Sequence, residues 1–174
     1  MPDAAELKKA LEAKFPFLVG VAGAVPGPGA APGPVVVQRE RRLYAEVPQD
    51  KFREVLEHAF KDLGFTHLCT ITGMDDKESL AALYHLAHQD GTLFNLRTRV
   101  PKDRPAMQSV NDLFPGSANY ERELKDLLGF DIRGVPPGKR YPLTDDFPTD
   151  QHPLRKDWPT KAAEPVPAIS AAVK

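Results

Sequence analysis

Residues 79–100 read Ser-Leu-Ala-Ala-Leu-Tyr-His-Leu-Ala-His-Gln-Asp-Gly-Thr-Leu-Phe-Asn-Leu-Arg-Thr-Arg-Val. The first half carries two periods at once. Leu83 and Ala87 suit one face of a helix, whereas Leu80, Ala82, Tyr84 and Leu86 alternate as on a strand. Asp90-Gly91 settles the choice, because a type I′ hairpin turn needs positive φ at both central positions and Asp-Gly supplies it. Phe94, Leu96, Thr98 and Val100 then alternate with Asn95, Arg97 and Arg99. The stretch predicts an antiparallel hairpin, 80–88 against 92–100, and hence a sheet.

Upstream, Gln49 to Leu63 is the clearest helix. Phe52, Val55, Leu56, Ala59, Phe60 and Leu63 follow the i, i+3, i+4, i+7 spacing of one buried stripe. Pro48 suits its start and Gly64 its end. Phe65 to Thr72 reads as a strand, with Cys69 a small core residue. Val35 to Val47 is one strand, or two around a turn, and Arg39-Glu40-Arg41-Arg42 suits a solvated hairpin end. Residues 4–14 form a short helix through Leu7 and Leu11, and 17–22 are a strand or a packed loop. Gly23 to Pro34 holds four prolines, four glycines and no charge, and reads as a flexible loop. It lacks the lysine and Ser/Thr of a phosphate loop.

Downstream, Ser117 to Leu128 is a helix, with Ser117 able to cap it, Tyr120, Leu124, Leu127 and Leu128 as its stripe, and Gly129 as its stop. Eight prolines then fall between Pro136 and Pro167. The end from Thr160 is expected to be disordered or to lie on a neighbour. The expected organisation is an α+β domain over 1–133 and an extended, partner-binding C-terminal tail over 134–174. The fold class is α+β, a mainly antiparallel sheet with flanking helices.

Composition narrows the function classes. The chain of 174 residues has 23 basic and 24 acidic residues, a net charge of −1, which gives no field to draw nucleic acid or an anionic membrane. One cysteine permits no intrachain disulfide and cannot hold an iron–sulfur cluster alone. No apolar run approaches the ~20 residues of a membrane span, so the protein is expected to be soluble and held at a membrane only by a partner. Histidines 58, 67, 85, 88 and 152 are scattered, and no dinucleotide fingerprint follows a strand. The expectation is no metal, no cofactor and no catalytic residue.

Two charged runs remain. Tyr120-Glu121-Arg122-Glu123-Leu124-Lys125-Asp126 places Glu121 with Lys125, and Arg122 with Asp126, at i, i+4. Such pairs on a solvated helix face contribute roughly 0.2–0.5 kcal/mol each. His152-Pro153-Leu154-Arg155-Lys156-Asp157-Trp158 sets a tryptophan and an arginine among prolines, a combination suited to a binding hot spot on a partner-bound tail, with an intrachain packed loop as the alternative. Tyr120, Glu121, Arg122, Glu123 and Asp126, with His152, Pro153, Leu154, Arg155, Lys156, Asp157 and Trp158, form the candidate partner interface.

These runs resemble the signature of the 30 kDa subunit family of respiratory complex I and its relatives in energy-converting, membrane-bound hydrogenases and formate hydrogenlyase-type complexes. The likeness is carried by Leu63-Gly64-Phe65 with Ile71-Thr72, by Ser109-Val110 and Phe114-Pro115-Gly116-Ser117-Ala118-Asn119-Tyr120-Glu121-Arg122-Glu123, and by the closing His152 to Trp158. It covers roughly residues 40–159. The Gly-His-Pro-Asp-Leu-Arg-Arg segment usual in complex I is absent, and the stretch 134–148 resembles the shorter hydrogenase form. The resemblance implies a structural subunit of a hydrophilic arm, without cofactor. It would pack on the large subunit that houses the quinone or nickel–iron site, beside iron–sulfur subunits, on the cytoplasmic face of the inner membrane. The alternatives are a stand-alone α+β enzyme and an assembly factor of the same complex. The parent complex, its electron donor and acceptor, and the ion moved stay open.

Overall fold

A computed structural model describes residues 3–20, 33–39 and 41–158, Arg39 by its backbone alone. Most of the expected flexible loop at 23–34 and the end from Thr160 lie outside these residues. In chain order the elements are α1 Ala4–Lys14, β1 Val36–Arg39, β2 Arg42–Val47, α2 Phe52–Lys61, β3 His67–Asp75, β4 Ser79–Ala87, β5 Leu93–Pro101, β6 Ala106–Gln108, α3 Ser117–Leu128 and β7 Asp131–Arg133. A 3-10 turn, Gln49–Lys51, leads into α2.

The hairpin forms as predicted, with Leu80 opposite Val100 and Leu86 opposite Phe94. Its turn differs. Gly91 has φ +86°, but Lys77 is the only non-glycine with positive φ among the described residues, so Asp90 does not adopt the type I′ geometry. Instead the Asp90 carboxylate accepts the Thr92 amide at 2.8 Å and pairs with His88 Nδ1 at 2.9 Å. The Gly91 amide donates to the His88 carbonyl, so one left-handed residue completes the turn.

The five strands run β1-β2-β5-β4-β3. All neighbours are antiparallel except β2 and β5, which are parallel. The register puts Leu43, Phe94 and Leu86 in one row and Ala45, Leu96, Tyr84 and Ile71 in another. These side chains are all buried and face the helices. Removing each large one from water contributes roughly 1.5–3 kcal/mol. The α2 stripe seats Phe52 on Tyr84, ring centroids 4.7 Å apart, while α1 packs against β1 and β2. α3 lies over β3, where Gly73 lets it approach; a Cβ there would overlap methyl groups of Leu124 and Leu128. The other face of the sheet carries charge. Arg97 and Arg99 both pair with Asp76, and Arg99 also pairs with Glu46.

Two further features were not legible. β6 and β7 form a separate parallel pair, Met107 opposite Ile132, too short to show a period. Ser117 does not cap α3. Gly116 holds the cap position and Ser117, the first helical residue, is wholly buried.

Candidate functional site

The 120–126 run points mostly into its own chain. Glu121 is 0% exposed, and its carboxylate accepts the Ser109 hydroxyl and the Val110 amide, each at 2.7 Å. A buried carboxylate is tolerable only with such donors. They tie α3 to the chain leaving β6, where the Ser109 amide donates to the Arg133 carbonyl. Burial, and then the Glu121 charge, push the nearby Tyr84 hydroxyl far above its ordinary range. Glu121 thus belongs to the interior and not to an exposed charged face, which corrects its place in the candidate interface.

Neither expected i, i+4 pair forms among the described residues. Arg122 donates to the Asn119 side chain at 2.8 Å and to the carbonyls of Pro136 and Pro137 at 3.1 and 3.4 Å. Asp126 accepts from Arg140 Nε at 2.9 Å and from the Leu143 amide at 3.3 Å. The Tyr120 hydroxyl donates to the Cys69 carbonyl at 3.0 Å and fixes α3 on β3. Glu123 stands half-buried beside them, and Lys125 is exposed.

The second run lies across the end of that helix. An α-helix leaves its last carbonyls without partners of its own. Here His152 Nδ1 meets the Asp126 carbonyl at 3.0 Å, the Leu154 amide donates to Leu127 at 3.0 Å, and Arg155 Nε donates to Leu128 at 2.7 Å. The Arg155 fork also reaches the Gly129 carbonyl. Residues 134–158 therefore form a strap that caps α3. The expected partner-binding tail is thus fastened on its own domain over these residues. The contacts exist because hydrogen bonds to helix-end carbonyls need no apolar period.

Asp75, at the end of β3, fastens the far end of the strap. Its carboxylate takes the Lys156 amide and Lys102 Nζ, each at 2.8 Å, and the Lys77 amide at 2.7 Å. Burial alone would raise its pKa. These donors outweigh it and hold the group at about 2. Lys102 also pairs with Asp157 at 3.1 Å. Trp158 is half-buried against Phe147, centroids 6.1 Å apart. Pro153 is half-buried, whereas Leu154, Lys156 and Asp157 are exposed. Arg140, Asp75, Lys102 and Ser109 were missed as partners of the two runs, because no spacing rule links them.

The arrangement holds α3, the strap and the end of β3 in position against one another. Among the described residues no group of three metal-ligating side chains comes together. None of the described helices is long and apolar enough to cross a membrane. A groove of about 470 Å³ lies beside Arg53, Asn111, Asp112 and Gly134, and its guanidinium is already paired with Glu57 and Asp112.

Residues 45–164 match the family model of the respiratory-chain NADH dehydrogenase 30 kDa subunit. The chain is similar to a subunit of the F(420)H(2) dehydrogenase of Methanosarcina mazei, 33% identical over 90% of this chain and 92% of that protein. It is 35% identical to the NADH-quinone oxidoreductase subunit 5 of Thermus thermophilus over 67% of this chain, spanning 61% of that longer protein. In three dimensions it is similar to a chain of the membrane-bound sulfane sulfur reductase, an archaeal respiratory membrane complex, with a TM-score of 0.72 at 30% identity over 90% of this chain and 85% of the other.

Proposed function

We propose, on the premise that the chain belongs to the respiratory-chain NADH dehydrogenase 30 kDa subunit family, that it is a structural subunit of a membrane-bound redox complex. It works with other subunits and sits peripherally at the membrane. In the finer reading it packs on the large subunit that houses a quinone or nickel–iron site and keeps iron–sulfur neighbours in line on the cytoplasmic face. Electron transfer and the ion movement coupled to it are then activities of the assembly.

The observation that carries this reading is the use made of the two charged runs. α3 and the strap spend their charges on fixing each other, which builds an ordered surface. Such a surface suits docking, since a preordered segment loses little freedom on binding. The proposed interface keeps Tyr120, Arg122, Glu123 and Asp126 as the frame and the outer side of 152–158 as the contact. Extraction of the tagged chain from native membranes in mild detergent tests it. A large subunit and iron–sulfur subunits are expected to come with it. A chain that emerges alone and turns over a substrate would sink the proposal.

A further inference from the structure

One ring nitrogen on α2 is approached by two groups at once. Lys14 Nζ, from the last turn of α1, lies 2.8 Å from His58 Nδ1, and the Asp62 carboxylate, one turn further along α2, closes on the same atom. Lys14 and Asp62 are themselves 3.6 Å apart. The two contacts require opposite proton states. An ammonium group only donates, so Lys14 needs a bare Nδ1. A carboxylate only accepts, so Asp62 needs an N–H there. One nitrogen cannot satisfy both together.

The ring stands where that choice has a consequence. The His58 side chain is 12% exposed, and it meets edge-on the ring of Phe15, the buried residue that ends α1, with centroids 5.3 Å apart. Lys14 lies over the same Phe15 ring, 5.7 Å from its centre. The neighbouring charges of α2 are engaged elsewhere. Glu54, one turn before His58, pairs with Lys51, and Lys61, one turn after Glu57, pairs with it. Among the described residues, Lys14 and Asp62 are thus the charged groups that face Nδ1. Beyond Phe15 the chain runs to Val19, whose backbone pairs with that of Glu46 on β2.

We infer that His58 is a proton-operated joint between α1 and α2. With Nδ1 bare, Lys14 donates to it and the end of α1 is tied to α2. When the ring takes a proton from solvent at Nδ1, that N–H donates to Asp62. Lys14 then faces an imidazolium of like charge and gives up the ring. Leu7 and Leu11 stay buried, so α1 as a whole keeps its seat. The change is confined to the last turn of α1 and the chain that leaves it. Mild acid therefore loosens the first segment's path to the sheet, in the range where histidine side chains change charge. The inference stands apart from the subunit reading above.

Nuclear magnetic resonance of the full, nitrogen-15-labelled chain tests it between about pH 8 and 5. Two readouts are taken: the side-chain nitrogens of His58, which report where the ring hydrogen sits, and the exchange protection of the Phe15 amide. That amide donates to the Leu11 carbonyl at 2.9 Å and so reports the end of α1. At the upper pH His58 should carry its hydrogen on Nε2 with Nδ1 bare, and at the lower pH on both nitrogens, with Phe15 protection falling along the same titration curve. Lys14→Met keeps the apolar stem and removes the like charge. In that variant the ring should titrate at higher pH, and Phe15 protection should already be low and no longer follow the ring. Asp62→Asn should move the titration the other way. A ring hydrogen on Nδ1 at the upper pH would overturn the inference, because Asp62 would then be the partner throughout. So would Phe15 protection that does not change with the ring, or that changes in Lys14→Met as it does in the parent.

Discussion

Helices α2 and α3 begin from the same design and end in different uses. Both lay an apolar stripe on the same face of one sheet, and both stop at a glycine in the left-handed region, Gly64 at φ +77° and Gly129 at +74°. The residue after each glycine donates back into its helix, Phe65 to Ala59 and Phe130 to Leu124. The polar faces then diverge. On α2, Glu57 pairs with Arg53 and Lys61 one turn away, and His58 with Asp62; Arg53 also reaches out of the helix, to Asp112, and His58 and Asp62 meet Lys14 of α1. On α3, Glu121, Arg122 and Asp126 each take partners from distant loops. One pattern of charges decorates a surface and the other assembles the rest of the domain. Composition alone does not separate them.

The sharpest way to break that contrast is Glu121→Leu. Removing the carboxylate strands the Ser109 hydroxyl and the Val110 amide in the interior, so stability should fall by about 3–5 kcal/mol, read from urea unfolding. A loss below ~1 kcal/mol would place Glu121 with the decorative charges of α2. Truncation after Asp150 comes next. It removes the donors to the Asp126, Leu127 and Leu128 carbonyls, which water can partly replace, so about 2–3 kcal/mol should be lost with the sheet intact. A variant as stable as the full chain would mean the strap is not the cap of α3.

Acid should loosen the strap before it unfolds the domain. The folded pKa of Asp75 is depressed to about 2 from an ordinary value of 3.8. Its contribution is present above the ordinary value and is lost as pH falls towards 2. Trp158, the single tryptophan, should report this as a fluorescence change between roughly pH 4 and 2, with Asp75→Asn showing the loosened signal already at neutral pH. A pH-independent signal through that window would argue against the latch. Smallest of all, Arg122→Ala should cost about 1 kcal/mol, read from urea unfolding. Glu57→Ala on α2 should leave the urea midpoint where it is. Equal effects for the two would erase the distinction between the helices.

How far the sequence reaches follows the same divide. The extents of α1 and α3, the α2 stripe and the 79–100 hairpin were readable because burial repeats along the chain with a fixed period. The parallel β2–β5 pair and the short β6–β7 ladder were not, since pairing between remote segments leaves no local trace. For the charged runs, spacing proposes the neighbours at i+4, whereas the real partners of Arg122 and Asp126 lie some 10 to 20 residues on, and His152 and Arg155 bind backbone carbonyls that any sequence would present. The family resemblance singled out these two segments and assigned them outward. Only the three-dimensional arrangement turns Glu121 inward and lays the strap on its own domain.

The parallel seam between β2 and β5 carries a consequence in time. β3, β4 and β5 are joined by short connections and can pair as they emerge, on the microsecond scale of hairpin formation. β2 finds its place only beside a strand about fifty residues later in the chain, after the cost of closing that loop has been met. The meander should therefore be the early nucleus, and the N-terminal portion with α1, β1 and β2 should dock onto its finished edge. Substitutions in Tyr84 or Leu96 would then slow folding, whereas those in Leu7 or Leu43 would chiefly hasten unfolding.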